Sequence, residues 1–272
     1  MAIPRKIIDT EAALGVENGA ISSATPTGIS PGVNEIVYVD GVIGDGAFGG
    51  GGFSAGDFDY YSVYIAPNST ITAAIYGAQW GSALDAKINI FDAAGNSVSG
   101  NDNFGTGNLD PLLEIPRIAG GMYTIRVSNT ALTQSNVFDP ASGGFETTAA
   151  VGAYRLYIGT NAGQANINTT ANPDGSNTIT GDSNANIVDG GGGTDTINGG
   201  LGDDVLNGGL GNDSVTGGGG KDTFLWNIDA IGAQTDNYTL GVGEDEIVEI
   251  HSPLAANTIT FSRFRDGGSS LR

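Results

Sequence analysis

The sequence predicts an all-β protein, with an N-terminal antiparallel β-sandwich of jelly-roll-like type followed by a short parallel β-roll of nonapeptide repeats. Three observations predict it: period-two alternation recurs across 33–160, a nine-residue period governs 172–226, and no convincing helix occurs between 33 and 226. The expected divisions are a leader or linker (1–32), the sandwich (33–160), a linker (161–171), the roll (172–226) and capping strands (227–272).

Short β-prone runs separated by turns predict the sandwich. Apolar residues alternate with polar ones at Tyr61, Val63 and Ile65, and the same pattern returns in MYTIRVS at 122–128. The turn sequences AAGN (93–96) and AGG (119–121) interrupt the runs. Several short strands at this spacing are typical of an antiparallel sandwich.

The charge and composition exclude several classes of function. Asp and Glu number 30 against 10 Lys and Arg, for a formal charge of −20, so nucleic acid and anionic lipid are poor partners and cations are good ones. The absence of cysteine excludes disulfides and thiol chemistry. No run approaches the ~20 apolar residues that span a bilayer, and the first 20 residues do not form a Sec signal peptide.

Residues 172–225 divide into six units of nine, which read NPDGSNTIT, GDSNANIVD, GGGGTDTIN, GGLGDDVLN, GGLGNDSVT and GGGGKDTFL. The last four match the pattern GGxGxDxUx, in which U is apolar. We number the units one to six and the positions within each unit one to nine. Positions one to six form a turn, and positions seven to nine form a short strand. The apolar residue at position eight is expected to point inward.

The glycines and the position-six aspartate together predict a calcium site. Glycine permits backbone angles that a Cβ forbids, so carbonyl oxygens can converge, and the aspartate adds a carboxylate. Hard oxygen ligands in a flexible loop suit Ca²⁺, which takes 6–8 of them. The candidate ligands are the carboxylates of Asp195, Asp204, Asp213 and Asp222 and the carbonyls of Gly191, Gly193, Gly200, Gly202, Gly209 and Gly211.

This segment resembles the repeats-in-toxin (RTX) calcium-binding family over about 54 residues. The resemblance implies that two units make one coil and that Ca²⁺ lies between units n and n+2. It therefore pairs Asp195 with Asp213 and Asp204 with Asp222. Asn186 in the degenerate unit two pairs with Asp204, and its uncharged amide oxygen predicts a weaker site.

Without metal the roll is expected to be unfolded, because its like charges repel and its glycines are entropically costly. The alternative is a flexible Gly- and Asn-rich linker, or a solenoid without metal. The register of aspartate and apolar residues over four consecutive units favours the calcium-binding roll.

Residues 56–158 resemble the bacterial pre-peptidase C-terminal domain, a β-sandwich attached to many secreted peptidases. The similar segments are GDFDYYSVYIAPNSTITAAI, LDAKINIFDAAGNSV, NDN, LDPLLEI, GGMYTIRVS and GAYRLYIG. The resemblance implies a non-catalytic module that assists adhesion, substrate contact or stability, here with a large insert at 129–151. A cell-surface or extracellular-matrix polymer is then a candidate partner.

Acidic and aromatic residues of the sandwich have two interpretations each. Five acids near strand ends could bind Ca²⁺ as in some relatives, but they more often cap turns: Asp57, Asp59, Asp85, Asp102 and Asp110. Four aromatic residues could form a contact surface, but such residues more often belong to the sandwich core: Tyr60, Tyr61, Tyr64 and Trp80.

The sequence does not predict an enzyme. The single histidine, His251, follows an acidic run, and no GxSxG or HExxH motif accompanies it. Paired carboxylates for glycoside hydrolysis remain open, although the repeats and turns already use most of the acids. The glycine runs lack the Lys-Ser/Thr of a phosphate loop.

The RTX resemblance implies an exported bacterial protein that leaves the cell by type I secretion and acts outside it. Residues 227–272 resemble the region after such repeats, but no secretion tail follows Arg272, so a truncated C-terminal region is expected. The alternative is the non-catalytic part of a larger secreted hydrolase. A stop codon directly after Arg272 would favour the accessory protein, and a motif-bearing domain there would favour the hydrolase.

Overall fold

The computed structural model describes residues 4–8, 20–44, 57–77, 82–103, 110–130, 137–138, 151–161, 175–227, 235–240, 246–250 and 258–263. The chain divides into two compact units, one from Pro4 to Asn166 and one that contains the residues from 167 onward. Every regular element of these residues is a strand, apart from one 3₁₀ turn at Ile21–Ser23. No helix among the described residues has the length and apolar character needed to cross a membrane.

Among the described residues of the first unit there are ten strands. In chain order they are β1 (Arg5–Ile7), β2 (Thr25–Pro26), β3 (Glu35–Ile43), β4 (Asp59–Ile65), β5 (Ser69–Tyr76), β6 (Ala86–Asp92), β7 (Ser97–Asn101), β8 (Leu112–Ile118), β9 (Gly121–Asn129) and β10 (Gly152–Asn161). One sheet has the order β1-β3-β10-β5-β8, and the other has the order β2-β4-β9-β6-β7. Alternate side chains of both sheets meet in one hydrophobic core, which includes Tyr61, Val63 and Ile65.

The sheets of this sandwich are mixed, and not wholly antiparallel as the sequence predicts. The long strands pair antiparallel. The edge pairs β1–β3 and β2–β4 run parallel, and the N-terminal segment supplies the edge strand of each pair. The stretch 1–32, expected to be a leader, therefore contributes a strand to each sheet.

Aromatic residues of the sandwich occupy different environments. Tyr60 and Tyr61 are fully buried, as expected of core residues, whereas Tyr64 is about half exposed. Tyr60 packs with Phe58 and Phe91 in a small cluster outside the main core. Trp80 lies outside the described residues.

The described part of the second unit has eleven strands, and every pair among these strands is parallel. They are β11 (Thr178–Thr180), β12 (Ile187–Asp189), β13 (Gly192–Gly193), β14 (Thr196–Leu201), β15 (Val205–Asn207), β16 (Leu210–Gly211), β17 (Ser214–Gly219), β18 (Thr223–Asn227), β19 (Thr235–Leu240), β20 (Glu246–Ile250) and β21 (Thr258–Arg263). They form the sheets β11-β14-β17-β19-β21 and β12-β15-β18-β20, with a small pair β13-β16.

The period of the roll is two nonapeptides. Thr196 pairs with Ser214 and Val205 with Thr223, an offset of 18 residues. Since each sheet receives every second unit, one coil contains two units, as the family resemblance implies. The position-eight side chains stack in a single buried cluster: Ile179, Val188, Ile197, Leu206, Val215 and Phe224. The inward direction expected for position eight is thereby confirmed.

Beyond residue 226 the same sheets continue. The sequence predicts capping strands here, and β19, β20 and β21 extend the two parallel sheets in register. The offset changes from 18 to 23 residues, as in the pairing of Ser214 with Asn237. Tyr238 joins the position-eight cluster, with its ring edge-on to Phe224 at 5.7 Å.

Candidate metal centre

The position-six residues form two hydrogen-bonded ladders, one on each side of the roll. The backbone N–H of Asp195 donates to Oδ1 of Asp213 at 2.9 Å, and that of Asp204 donates to Oδ1 of Asp222 at 3.0 Å. Each bond joins residues 18 apart, so it links unit n to unit n+2. The structure therefore brings together the two pairs that the sequence predicts.

These carboxylates are buried and only half satisfied. Asp195, Asp204 and Asp213 are each at most 1% exposed. Their Oδ2 atoms have no accessible surface and accept no hydrogen bond from any described residue. Since a buried charge is stable only when it is paired or bound to a metal, these oxygens fit a cation.

The position-one glycines make room beside these oxygens. A methyl group on Gly190 would lie 2.6 Å from Oδ2 of Asp195 and would also meet the carbonyl oxygen of Gly208. On Gly199 it would lie 2.6 Å from the carbonyl oxygen of Gly217 and would meet Oδ2 of Asp204. A carboxylate of one unit and a carbonyl of the unit two further on therefore converge at a point that only glycine leaves open.

Glycines at positions two and four turn the backbone through the left-handed region. Gly209 has φ +92° and Gly211 has φ +137°, which L-residues with side chains rarely adopt. The other predicted carbonyl donors share this conformation: Gly191, Gly193, Gly200 and Gly202. Gly218 and Gly220 of unit six share it as well and were not among the predicted residues.

Burial makes the charged form of these acids unfavourable. It raises the pKa of Asp204 to about 9 and that of Asp213 to about 8, with neighbouring carboxylates adding to the effect. The pKa of Asp195 is also raised by burial. A bound divalent cation would supply the missing counter-charge.

Comparison with protein families identifies this segment. The family model of the RTX calcium-binding nonapeptide repeat matches residues 174–206 and 198–225, in four copies. This segment consists of RTX repeats. Such repeats bind Ca²⁺, so Ca²⁺ is the cofactor of the roll.

Backbone carbonyl oxygens lie beside the ladder carboxylates of these RTX repeats. Among the residues that the structure covers, no three His, Cys, Asp or Glu side chains gather as a metal site. A site that combines two aspartates with backbone carbonyls agrees with this, and its all-oxygen donor set suits Ca²⁺.

The degenerate unit two departs from the other RTX repeats in more than Asn186. The N–H of Asn186 donates to Oδ1 of Asp204 at 2.7 Å, so it belongs to the ladder. However, its amide oxygen already accepts from the N–H of Asp182 at 3.0 Å. Asp182 and Asn184 also stand where units three to six have left-handed glycines, and neither has a positive φ. Both features agree with a weaker site.

The ladder includes two residues that the sequence analysis did not select. The N–H of Asn177 in unit one donates to Oδ1 of Asp195 at 2.7 Å, and Oδ1 of Asp236 accepts from the N–H of Asp213 at 3.0 Å. The signal for Asn177 was its place at position six. The signal for Asp236 was the D-x-U order of Asp236, Asn237 and Tyr238, which the nine-residue count misses.

The acids of the sandwich hold loops and side chains. Oδ2 of Asp57 accepts from the N–H of Gly44 at 2.7 Å, and Oδ1 of Asp110 accepts from the N–H of Gly77 at 3.0 Å. Further bonds run from the Tyr154 hydroxyl to Asp59 and from the Thr130 hydroxyl to Asp85. These bonds favour the interpretation as turn and loop anchors. His251 lies outside the described residues.

No curated protein matches the chain. A crystal structure of PliG from Aeromonas hydrophila, a periplasmic inhibitor of g-type lysozyme, is 16% identical, with a TM-score of 0.32. The match covers 50% of this chain and 93% of that chain.

Proposed function

We propose that this chain is an exported, non-catalytic calcium-binding bacterial protein whose RTX roll folds when it binds Ca²⁺ outside the cell. The observation that carries the proposal is the set of buried Oδ2 atoms on Asp195, Asp204 and Asp213, which face glycine positions with no side chain. Carboxylates buried in this way need a cation, and an all-oxygen donor set selects Ca²⁺.

The proposed ligands are those that the sequence predicts. Each ion binds between units n and n+2, with Asp195 paired to Asp213 and Asp204 paired to Asp222. Carbonyls of the glycines at positions two and four complete the shell, and Asn186 contributes to a weaker site with Asp204. When it is bound, Ca²⁺ neutralises the carboxylates and joins consecutive coils.

The energetics of the roll favour folding that depends on calcium. Residues 171–226 contain eight Asp, one Lys and sixteen Gly. Each glycine adds roughly 0.5–1 kcal/mol of entropy loss relative to alanine. The buried cluster contributes one apolar side chain per nonapeptide, worth about 1.5–3 kcal/mol each. Ordering the backbone costs roughly 1–2 kcal/mol more for each residue of the roll, so without cations the cluster does not offset the entropy and the buried charge.

A circular dichroism titration of the full chain tests this proposal. We expect the β signal of the roll to appear with a midpoint at about 10⁻⁴–10⁻³ M Ca²⁺, the range of extracellular calcium modules. Mg²⁺ at the same concentration is the control, because its octahedral preference suits a glycine-rich carbonyl site poorly. An identical β signal in Ca²⁺ and in chelator would contradict the proposal.

The resemblance of the sandwich to the pre-peptidase C-terminal domain supports an accessory or adhesive role, and its jelly-roll-like character belongs to the same proposal. RTX repeats are typical of exported proteins, which supports type I secretion to the extracellular space. The proposed partner of the sandwich is a cell-surface or matrix polymer. Pull-down of the intact chain on immobilised glycans and on collagen, with and without Ca²⁺, tests that role, and retention on neither polymer would contradict it.

A further inference from the structure

Asp236 extends the aspartate ladder beyond the RTX repeats, whose family match ends at residue 225. Its Oδ1 accepts from the N–H of Asp213 at 3.0 Å, just as Oδ1 of Asp213 accepts from the N–H of Asp195 at 2.9 Å. Asp236 is 2% exposed, as deeply buried as the aspartates of the repeats. The side chain thus has the geometry of a position-six residue without the nonapeptide around it.

The backbone around Asp236 repeats the same pattern. The N–H of Asn237 donates to the carbonyl of Asp213 at 2.8 Å, and the N–H of Ser214 donates to the carbonyl of Asp195 at the same distance. Two residues further on, Tyr238 pairs with Val215 and enters the position-eight cluster. The change from an 18-residue to a 23-residue coil therefore leaves this part of the coil unaltered.

A second observation points to a ligand here. Oδ2 of Asp213 is buried and accepts no hydrogen bond from the described residues, although Asp236 lies one coil away on the same ladder. Two buried carboxylates in consecutive coils repel each other unless a cation lies between them. The pairs Asp195–Asp213 and Asp204–Asp222 have the same arrangement inside the repeats.

We infer that Asp236 is a calcium ligand outside the RTX repeats and that a further Ca²⁺ binds between Asp213 and Asp236. This inference rests on the proposed function, since it extends the same kind of site by one coil. Its consequence is that Asp213 serves two ions, one shared with Asp195 and one shared with Asp236. The segment after the repeats is then part of the metal-binding roll.

The test is calcium stoichiometry by isothermal titration calorimetry on the full chain. Asp236→Asn keeps an oxygen to accept the N–H of Asp213 but removes the charge, so we expect the ion between them to be lost or to bind at least tenfold more weakly than in the wild type, as predicted for the uncharged Asn186. Asp203→Asn is the matched control, because Asp203 sits at position five and accepts from the N–H of Lys221 at 2.9 Å. It is expected to bind as many ions as the wild type.

The outcomes separate this inference from the proposed function. If the wild type binds Ca²⁺ and Asp236→Asn binds the same number of ions with unchanged affinity, the inference is overturned and the proposed function stands. If the wild type binds none, both fall. If Asp236→Asn does not develop its β signal at saturating Ca²⁺, the calcium stoichiometry of Asp213→Asn tests the inference instead. Loss of two ions in that variant supports the inference, and loss of one overturns it.

Discussion

In units three to six the glycine at position one faces the carboxylate of its own unit, and this contact explains why glycine is required there although its backbone angles do not require it. Gly190 does not have the positive φ of its neighbours Gly191 and Gly193, so alanine would fit its backbone. A methyl group would nevertheless lie 2.6 Å from Oδ2 of Asp195, within the space where we propose that calcium binds. Glycine is therefore needed at position one because any side chain there would occupy the proposed calcium site.

This contact predicts the effect of Gly190→Ala. Overpacking a closed site costs about 1–3 kcal/mol, and 1.4 kcal/mol corresponds to a factor of about ten in an equilibrium constant. We expect the calcium midpoint of folding, followed by circular dichroism, to rise about tenfold or more. The control is Gly219→Ala, where a methyl group would meet only Cδ2 of Leu201 at 3.0 Å. Equal midpoints for the two variants would contradict the proposed ligand space.

Position six is a carboxylate in Asp204 and an amide in Asn186, and this predicts different calcium midpoints when each is replaced by alanine. Asp204→Ala removes a buried carboxylate whose Oδ2 has no described donor, whereas Asn186→Ala removes an amide whose oxygen already accepts from Asp182. We expect Asp204→Ala to raise the calcium midpoint by at least tenfold more than Asn186→Ala, because a charged oxygen ligand is lost. Similar midpoints in the same titration would show that the register of the sites is wrong.

At the scale of residues, the sequence predicts the roles of those positions that recur in the nine-residue units. Asp at position six and the apolar residue at position eight are visible because they recur in register, and the structure places them on the ladders and in the buried cluster. The role of Gly190 is not visible, because it depends on a carboxylate five residues later and a carbonyl of Gly208 in the next coil.

Among the elements, the short edge strands show how the N-terminal segment completes the sandwich. β1 covers the edge of β3 and β2 covers the edge of β4. An uncovered edge presents unpaired backbone groups to other chains, so covering it protects the sheets from edge-to-edge association. Ion pairs anchor β1, with Arg5 bonded to Glu35 at 3.2 Å and Lys6 to Asp40 at 2.9 Å.

The ion pairs of Asp40 predict an acid sensitivity of the sandwich. Burial alone would raise the pKa of Asp40, but hydrogen bonds from Arg155 and Lys6 outweigh it and hold the pKa below its ordinary value. A carboxyl with a lowered pKa stabilises the fold above its unfolded pKa of about 4 and loses that contribution as the pH falls through the folded value. Asp40→Asn should therefore make the free energy of unfolding of the sandwich depend less on pH in the acid range. At pH 7 it should lower that free energy by about 1 kcal/mol or less.

Urea denaturation between pH 2 and 7 in calcium-free buffer measures this effect, since the roll is expected to be unfolded there and the sandwich gives the transition. The control is Asp203→Asn, which removes a charge from the roll and should leave this transition unchanged. The same pH dependence in Asp40→Asn and in the wild type would show that the Asp40 pairs contribute nothing.

Sequence patterns predict long strands better than these edge strands. β4 and β9 have seven and nine residues, long enough to show the period-two alternation of Tyr61, Val63 and Ile65 and of MYTIRVS. β1 and β2 have three and two residues, too few to show a period, and only tertiary pairing defines them. The sequence predicts capping strands after residue 226 as a region, but it does not show their place in the roll, because the coil lengthens to 23 residues.

For the whole molecule, the charge and the hydrophobic core are distributed unequally between the two units. The first unit has a large shared core between two sheets, whereas the position-eight cluster of the second unit has one apolar side chain per nonapeptide. The second unit also concentrates buried aspartates. The first should therefore fold without metal, and the second should not.

Hydrogen exchange of the intact chain tests this division directly. In chelator, amides of residues 178–227 should exchange at close to unfolded rates, while those of β4 and β5 stay protected, because only the roll depends on Ca²⁺ to neutralise buried charge. With Ca²⁺ in excess of its midpoint by a hundredfold, binding should stabilise the roll by about 2.7 kcal/mol for each independent site. Its ladder amides, including those of Asp195 and Asp204, should then slow by at least a hundredfold. Protection of the roll in chelator, or loss of protection in the sandwich, would show that metal does not divide the molecule in this way.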